Sequence, residues 1–316
     1  MRIYRYRSST GGFQPRLAVA VEDGPPVDLL QSWDEVTGTR LDNESAHFLV
    51  STLQLIEQGP EVWREVHDVV RAASSLPFLH VNPDDPGFKW LCPLDKMASL
   101  RDFLAFEDHV KRGAARRGGE VPDYWYRAPI YYKGNHRAII GPDAECLWPS
   151  YTKKLDFELE LAMIVGRRGR NIPKEQAGDY IFGFTVFNDF SARDLQALEM
   201  GAWLGPAKGK DFANAFGPSI VTADEVGSFP DLQMVCRVNG EEWGRARSSD
   251  AKWQWDDMLA HVSASEDVFP GDVYGSGTPG GCCGLDLDRF LSPGDVVELD
   301  IERIGILRNS VGFPAA

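Results

Sequence analysis

From about Leu94 onward, glycine and proline turns interrupt the chain at short intervals, and this punctuation restricts the fold more than any other feature of the sequence. The segments PGDVYGSGTPGG and SPGDVVELDIERIGILRN each run from a Pro-Gly-Asp turn into strand-forming residues. Asn239-Gly240 separates two apolar-rich runs in DLQMVCRVNGEEWGRARSS, which is a hairpin signature because both turn residues tolerate a positive φ. Such breakers leave room for strands and only a few inserted helices. The earlier part differs. RIYRYRS and RLAVAVEDGPPVDLL predict short strands, and in SAHFLVSTLQLIEQGPEVWREVHDVVRAAS the residues Phe48, Leu49, Leu53 and Ile56 recur with a helical period. LPFLHVNPDDPGFKWLCPLD, rich in Pro and Asp, reads as a crossing. The expectation is an α+β, mostly β protein, with a small α+β domain over 1–93 and a second domain over 94–316. No repeat of 20 to 50 residues and no low-complexity tract is present.

The 43% hydrophobic and 25% charged content of the 316 residues is that of a soluble globular chain. No apolar run approaches the roughly 18 residues of a membrane helix. MRIYRYRSSTGGFQ lacks the apolar stretch of a secretion signal, so a cytoplasmic location and no membrane partner are expected. A net charge of −14, from 33 basic and 47 acidic residues, opposes binding to nucleic acid phosphates. It leaves an anionic small substrate open, since a metal or a local Lys/Arg group reverses the sign of one pocket. Cys92, Cys146, Cys236, Cys282 and Cys283 fit neither a disulfide scaffold nor a CxxC zinc site, and are expected as reduced thiols.

Three motifs mislead. Gly275 to Gly280, GSGTPG, has the glycine spacing of a dinucleotide loop, but Pro279 and Gly280-Gly281 spoil the helix that should follow. GPAKGK, ending at Lys210, is one residue short of a phosphate loop and lacks its Ser/Thr. Asn43-Glu44-Ser45 is a formal glycosylation sequon, without meaning unless the chain is secreted.

Residues 156–166, DFELELAMIVG, alternate like a strand and set Glu158 and Glu160 on one face, with Phe157, Leu159 and Leu161 on the other. Charges about 7 Å apart or closer repel, and a divalent cation turns that repulsion into attraction. A solvated face explains the pair equally simply. In FTVFNDFSARDLQ, Asp189 emerges at the end of an apolar strand. There it is either a third carboxylate for a hard cation or part of a polar cluster opening a helix, with SARD as a capping box.

Taken together, DFELELA, FNDFSARDLQ, GPAKGKDF, GSGTPGGC and SPGDVVELDIERIG, in this order between Leu94 and Asn309, resemble the fumarylacetoacetate hydrolase family. The resemblance implies a mixed β-sandwich roll as catalytic fold, a homodimer, and a divalent metal, Mg²⁺ first and Mn²⁺ or Ca²⁺ as alternatives. The metal would chelate a small anionic dicarbonyl or 2-oxo acid. Its implied ligands are Glu158, Glu160 and Asp189, with Asp102 as a fourth. His109, seven residues after Asp102 on an expected amphipathic helix, becomes the general base. Lys210 would face the developing negative charge, while Arg193, Gln196 and Thr278 would hold substrate carboxylates; a structural salt bridge is the alternative for Arg193. His136 is expected to line the pocket. The chain departs from the family pattern where the base leans on a glutamate. Arg112 stands three residues after His109, and Asp286 lies in the glycine-rich C-terminal stretch, with Glu107 as a substitute. Ser219 also replaces a common Trp after Gly-Pro.

The implied activity is metal-dependent hydrolysis of a carbon–carbon bond in an acylpyruvate or fumarylacetoacetate-like acid, with water activated by His109. Decarboxylation, tautomerisation or hydration of a 2-oxo acid through a metal-bound enolate is the alternative, and a non-catalytic binding relative the third reading.

Overall fold

The computed structural model describes residues 1–9, 11–22, 24–42 and 45–314. The first two residues of the Asn43 sequon therefore lie outside the described residues. The architecture is α+β with more strand than helix, and its two large sheets stay open.

An eleven-stranded sheet forms the centre. Its main path runs Val27–Asp28, Arg16–Ala20, Arg2–Arg7, Asn214–Thr222, Ile181–Asp189, Leu159–Val165, Asp272–Gly275, Ser99–Phe103 and Tyr131–Lys133. Most neighbours are antiparallel, while Asp272–Gly275 and Ser99–Phe103 run parallel. Five strands form a second sheet, and Gln233–Val238 and Glu241–Arg247 make the hairpin expected at Asn239-Gly240. Asn239 and Gly240 have φ of 53° and 81°, the geometry that this dipeptide accepts. Both Pro-Gly-Asp turns are present, with Gly271 at φ 82° and Gly294 at φ 88°.

The central sheet is covered on both faces. Leu159, Leu161, Met163 and Val165 point into a core shared with Met234, Val297, Leu299 and Ile301 of the second sheet. The intervening Ala162 and Ile164 pack in another core with Ile3, Leu17, Val66 and Val70 from the N-terminal strands and helix Pro60–Ala73. Leu159–Val165 is buried at every position and lies between two other strands, so it is an interior strand of the sheet. The N-terminal residues join this sheet directly, since Arg2–Arg7 pairs with Asn214–Thr222. Among the described residues, no helix is long and apolar enough to cross a membrane.

One local expectation changes. Asp102 is not on the helix that carries His109: it lies in strand Ser99–Phe103, and the helix spans Glu107–Arg116. Alternation explains this, because Leu100 packs with the N-terminal core and Phe103 with the opposite one.

Candidate metal centre

Strands Ile181–Asp189, Leu159–Val165 and Ser99–Phe103, the last set apart from the other two by Asp272–Gly275, bring the carboxylates together with the residue before Leu159. In register, Glu160 pairs with Phe187 of Ile181–Asp189, and Asp102 pairs with Gly275 of Asp272–Gly275. Side-chain alternation then turns Glu158, Glu160, Asp189 and Asp102 toward one point. Each offers an oxygen within 4.8 Å of the others, and all four residues are buried. Gly275 makes room: a β-carbon there would lie 2.6 Å from Asp102 Oδ1 and 2.7 Å from Glu160 Oε2.

The SARD capping box does not form. Helix Arg193–Gly201 begins after Ala192 without a side-chain cap, and the Ser191 hydroxyl donates to the Asp189 carbonyl at 3.0 Å. Asp189 therefore spends its carboxylate inside the site, where Tyr132 donates to Oδ2 at 2.7 Å and Lys210 forms an ion pair.

Four carboxylates face two protein cations. Lys210, buried, reaches Glu158 Oε2 at 2.5 Å. Arg193 divides itself among Asp156 and Glu158, each at 2.7 Å, and the side-chain Oε1 of Gln196 at 3.0 Å. Burial alone would raise the Glu158 carboxyl, but Lys210, Arg193 and the nearby His109 hold it well below the ordinary range. Glu160 and Asp102 go the other way. Burial pushes both well above that range, aided by Asp102 beside Glu160 and by Asp189 beside Asp102.

Asp102 Oδ1, Glu160 Oε1 and Asp189 Oδ1 are buried without a hydrogen-bond partner. Unpaired buried carboxylate oxygens are costly, and three converging ones form a donor set suited to a hard divalent cation. The residues present fit such an ion.

Beside the carboxylates, His109 Nδ1 lies 2.9 Å from Asp286 Oδ2, whose side chain has no exposed surface. Asp286 is thus the acid in contact with the imidazole, and it also accepts from Gly281 N–H at 2.9 Å. Glu107 is not: it bonds Lys111 at 3.0 Å and Tyr126 at 2.8 Å. Two helical positions separate Glu107 from His109, which turns the side chains to different faces. Arg112 pairs with Asp108 at 2.9 Å. Arg193 has all three nitrogens engaged by protein acceptors, which fits the salt-bridge alternative. Gln196 is half-buried beside it. The Thr278 hydroxyl is spent inside its turn, donating to the Cys282 carbonyl at 3.1 Å. His136 is half-buried, and Ser219 is fully buried.

Sequence reasoning passed over Asp156 and Tyr132. Asp156 accepts from Arg193 and from the backbone N–H groups of Gly284 and Leu285, at 2.7 and 2.8 Å. It thereby ties the arginine beside Glu158 to the short helix Gly284–Leu287 that carries Asp286. Its place two residues before Glu158, on the same face of the alternating stretch, was the available signal. For Tyr132 no comparable signal exists.

Residues 99–312 match the family model described as fumarylacetoacetate (FAA) hydrolase C-terminal. An oxaloacetate tautomerase, mitochondrial Fahd2a of Rattus norvegicus, is 34% identical over 214 residues, 66% of this chain and 64% of the relative's length. The solved structure of a fumarylacetoacetate hydrolase from Exiguobacterium antarcticum superposes with a TM-score of 0.72 at 27% identity, covering 99% of each chain. Maleylpyruvate hydrolase from Sphingobium sp. SYK-6, solved in complex with manganese and pyruvate, has a TM-score of 0.70 at 22% identity over 99% of each chain, a likeness of fold. This chain belongs to the fumarylacetoacetate hydrolase family.

Proposed function

We propose, with membership of this family as the premise, that the protein is a metal-dependent hydrolase that cleaves a carbon–carbon bond in a small β-dicarbonyl acid of the acylpyruvate class. One observation carries the choice of hydrolysis: the His109–Asp286 pair, 2.9 Å apart, stands beside the four-carboxylate cluster. When bound, a divalent cation, Mg²⁺ by preference, supplies Lewis acidity toward an enolisable dicarbonyl. Asp286 keeps the imidazole proton on Nδ1, so Nε2 is the nitrogen that accepts a proton from water. The water oxygen adds to the distal carbonyl. The carbon–carbon bond then breaks, its electron pair passing into the enolate of the departing 2-oxo acid. Lys210, fixed by Glu158 and Asp189, is placed to offset that charge. Asp156 and Arg193 hold the two halves of the site in register.

Replacement of Asp189 by Ala is expected to abolish both metal binding, measured by calorimetry, and turnover of acylpyruvates followed by mass spectrometry. Retention of both would refute the proposal. A second reading, tautomerisation or decarboxylation of a 2-oxo acid such as oxaloacetate, is favoured by the 34% identity to the rat tautomerase. These reactions need no activated water. His109→Ala should end hydrolysis and spare them, so a screen of acylpyruvates and oxaloacetate with both proteins separates the readings. A domain boundary at 93/94, a homodimer and a cytoplasmic location belong to the same proposal. Limited proteolysis, sedimentation velocity and cell fractionation test them in turn.

A further inference from the structure

We infer that His109, Cys283 and Asp286 form a second cation site, one that takes zinc-like ions rather than magnesium and silences the imidazole when filled. Their ligand atoms all lie within 4.8 Å of one another. Cys283 Sγ is 3.9 Å from His109 Nδ1, which is 2.9 Å from Asp286 Oδ2. On a tetrahedral zinc ion, neighbouring N, O and S ligands are roughly 3.3 to 3.6 Å apart, so each of these two pairs lies within a few tenths of an ångström of that spacing. Asp286 Oδ1 is buried and unpartnered, which leaves the carboxylate an uncommitted oxygen at this point.

The two adjacent cysteines are sorted by backbone geometry. Cys283 is extended, with φ −145° and ψ 158°, so successive side chains diverge. Cys282 Sγ lies against Gly244, while Cys283 turns to His109. A cysteine-poor carboxylate cluster and a histidine–thiol–carboxylate trio then sit side by side. Hard ions prefer the first, and borderline ions that accept sulfur prefer the second. The neighbouring cation Arg193 is already offset by Asp156 and Glu158. Burial keeps the free Cys283 thiol protonated, and a cation at bonding distance displaces that proton to solvent. Coordination through Nδ1 moves the remaining ring proton to Nε2. The imidazole then carries a proton on the nitrogen that should accept one. The inhibition rests on the function proposed above, whereas the binding does not.

The test uses the full-length protein in excess Mg²⁺, titrated with Co²⁺ as a spectroscopic probe. A thiolate-to-cobalt charge-transfer band should appear, survive in Cys282→Ala and vanish in Cys283→Ala. Zn²⁺ should inhibit turnover without competition from Mg²⁺, and Cys283→Ala should raise the half-inhibiting concentration by about tenfold or more. X-ray absorption at the zinc edge, expected to show sulfur among the ligands of wild-type protein, keeps the test open should Cys283→Ala fail to fold. Absence of the band, its persistence in Cys283→Ala, or zinc inhibition that excess Mg²⁺ relieves equally in both proteins would overturn the inference. Because the cobalt and zinc spectra need no substrate, a wrong functional assignment cannot be mistaken for a wrong site.

Discussion

Arg101 and Asp102 are successive residues of one strand and are almost equally buried, yet they face opposite electrostatic surroundings. Arg101 lies over the rings of Tyr131 and Tyr274, bonds Ser99 at 2.6 Å, and pairs with Glu266 and, at 3.8 Å, with Asp272. Its charge is answered within the protein. Asp102, on the other face, meets three further carboxylates and has an oxygen without a donor. A buried charge that serves the fold brings its partners, because an unpaired one costs several kcal/mol. The surplus of acids around Asp102 is therefore a local cost to stability, one that the proposed divalent cation would offset.

Four substitutions or titrations would break or sharpen this contrast. Glu160→Gln should have the largest effect, removing an oxygen donor and lowering turnover by about a thousandfold or more, with metal affinity by calorimetry falling in parallel. Asp286→Asn should leave metal affinity intact while turnover falls by about a hundredfold or more, since the amide no longer holds the Nδ1 tautomer. Arg101→Met should do the reverse: a loss of about 3 kcal/mol in urea unfolding with metal affinity retained. If Arg101→Met abolished metal binding and left stability unchanged, the division between the two faces would be wrong.

The smallest effect is a pH dependence. Asp102 and Glu160 have carboxyl pKa values raised by burial above the unfolded value of about 4. As pH rises from there, the unfolded chain releases its protons first, so these groups contribute less stability until they ionise in the fold. Glu158, held low, works oppositely and loses its contribution as pH falls. Without metal, the melting temperature of the wild type relative to Asp102→Asn should therefore decline as pH rises above about 4. Excess Mg²⁺ should reverse that slope, because the ion replaces the protons. A pH-independent difference in both series would count against the assigned burial.

Much of the site was legible because it depends on short-range geometry. Period-two alternation put Glu158 and Glu160 on one side before any contact was known. Asp189 was legible as a carboxylate leaving an apolar strand, and the glycine spacing of GSGTPG was legible as well. Its glycine at 275 serves to leave space between two acids. Less legible were residues whose meaning depends on a neighbour far along the chain. Choosing Asp286 over Glu107 required knowing that a short helix whose Asp286 lies 177 residues along the chain from His109 meets it. The opening segment shows the same limit. Its strands and helices carried local signals, but the pairing of Arg2–Arg7 with Asn214–Thr222 did not.

Local rules of turn, period and charge thus determined the strand-rich α+β character, the paired acids and the family to which the chain belongs. Only tertiary structure decided which acids converge, which oxygens remain unpaired, and which partner holds His109. The reason is that burial and long-range register set those outcomes, and both are properties of the assembled sheets, which no stretch of ten residues contains.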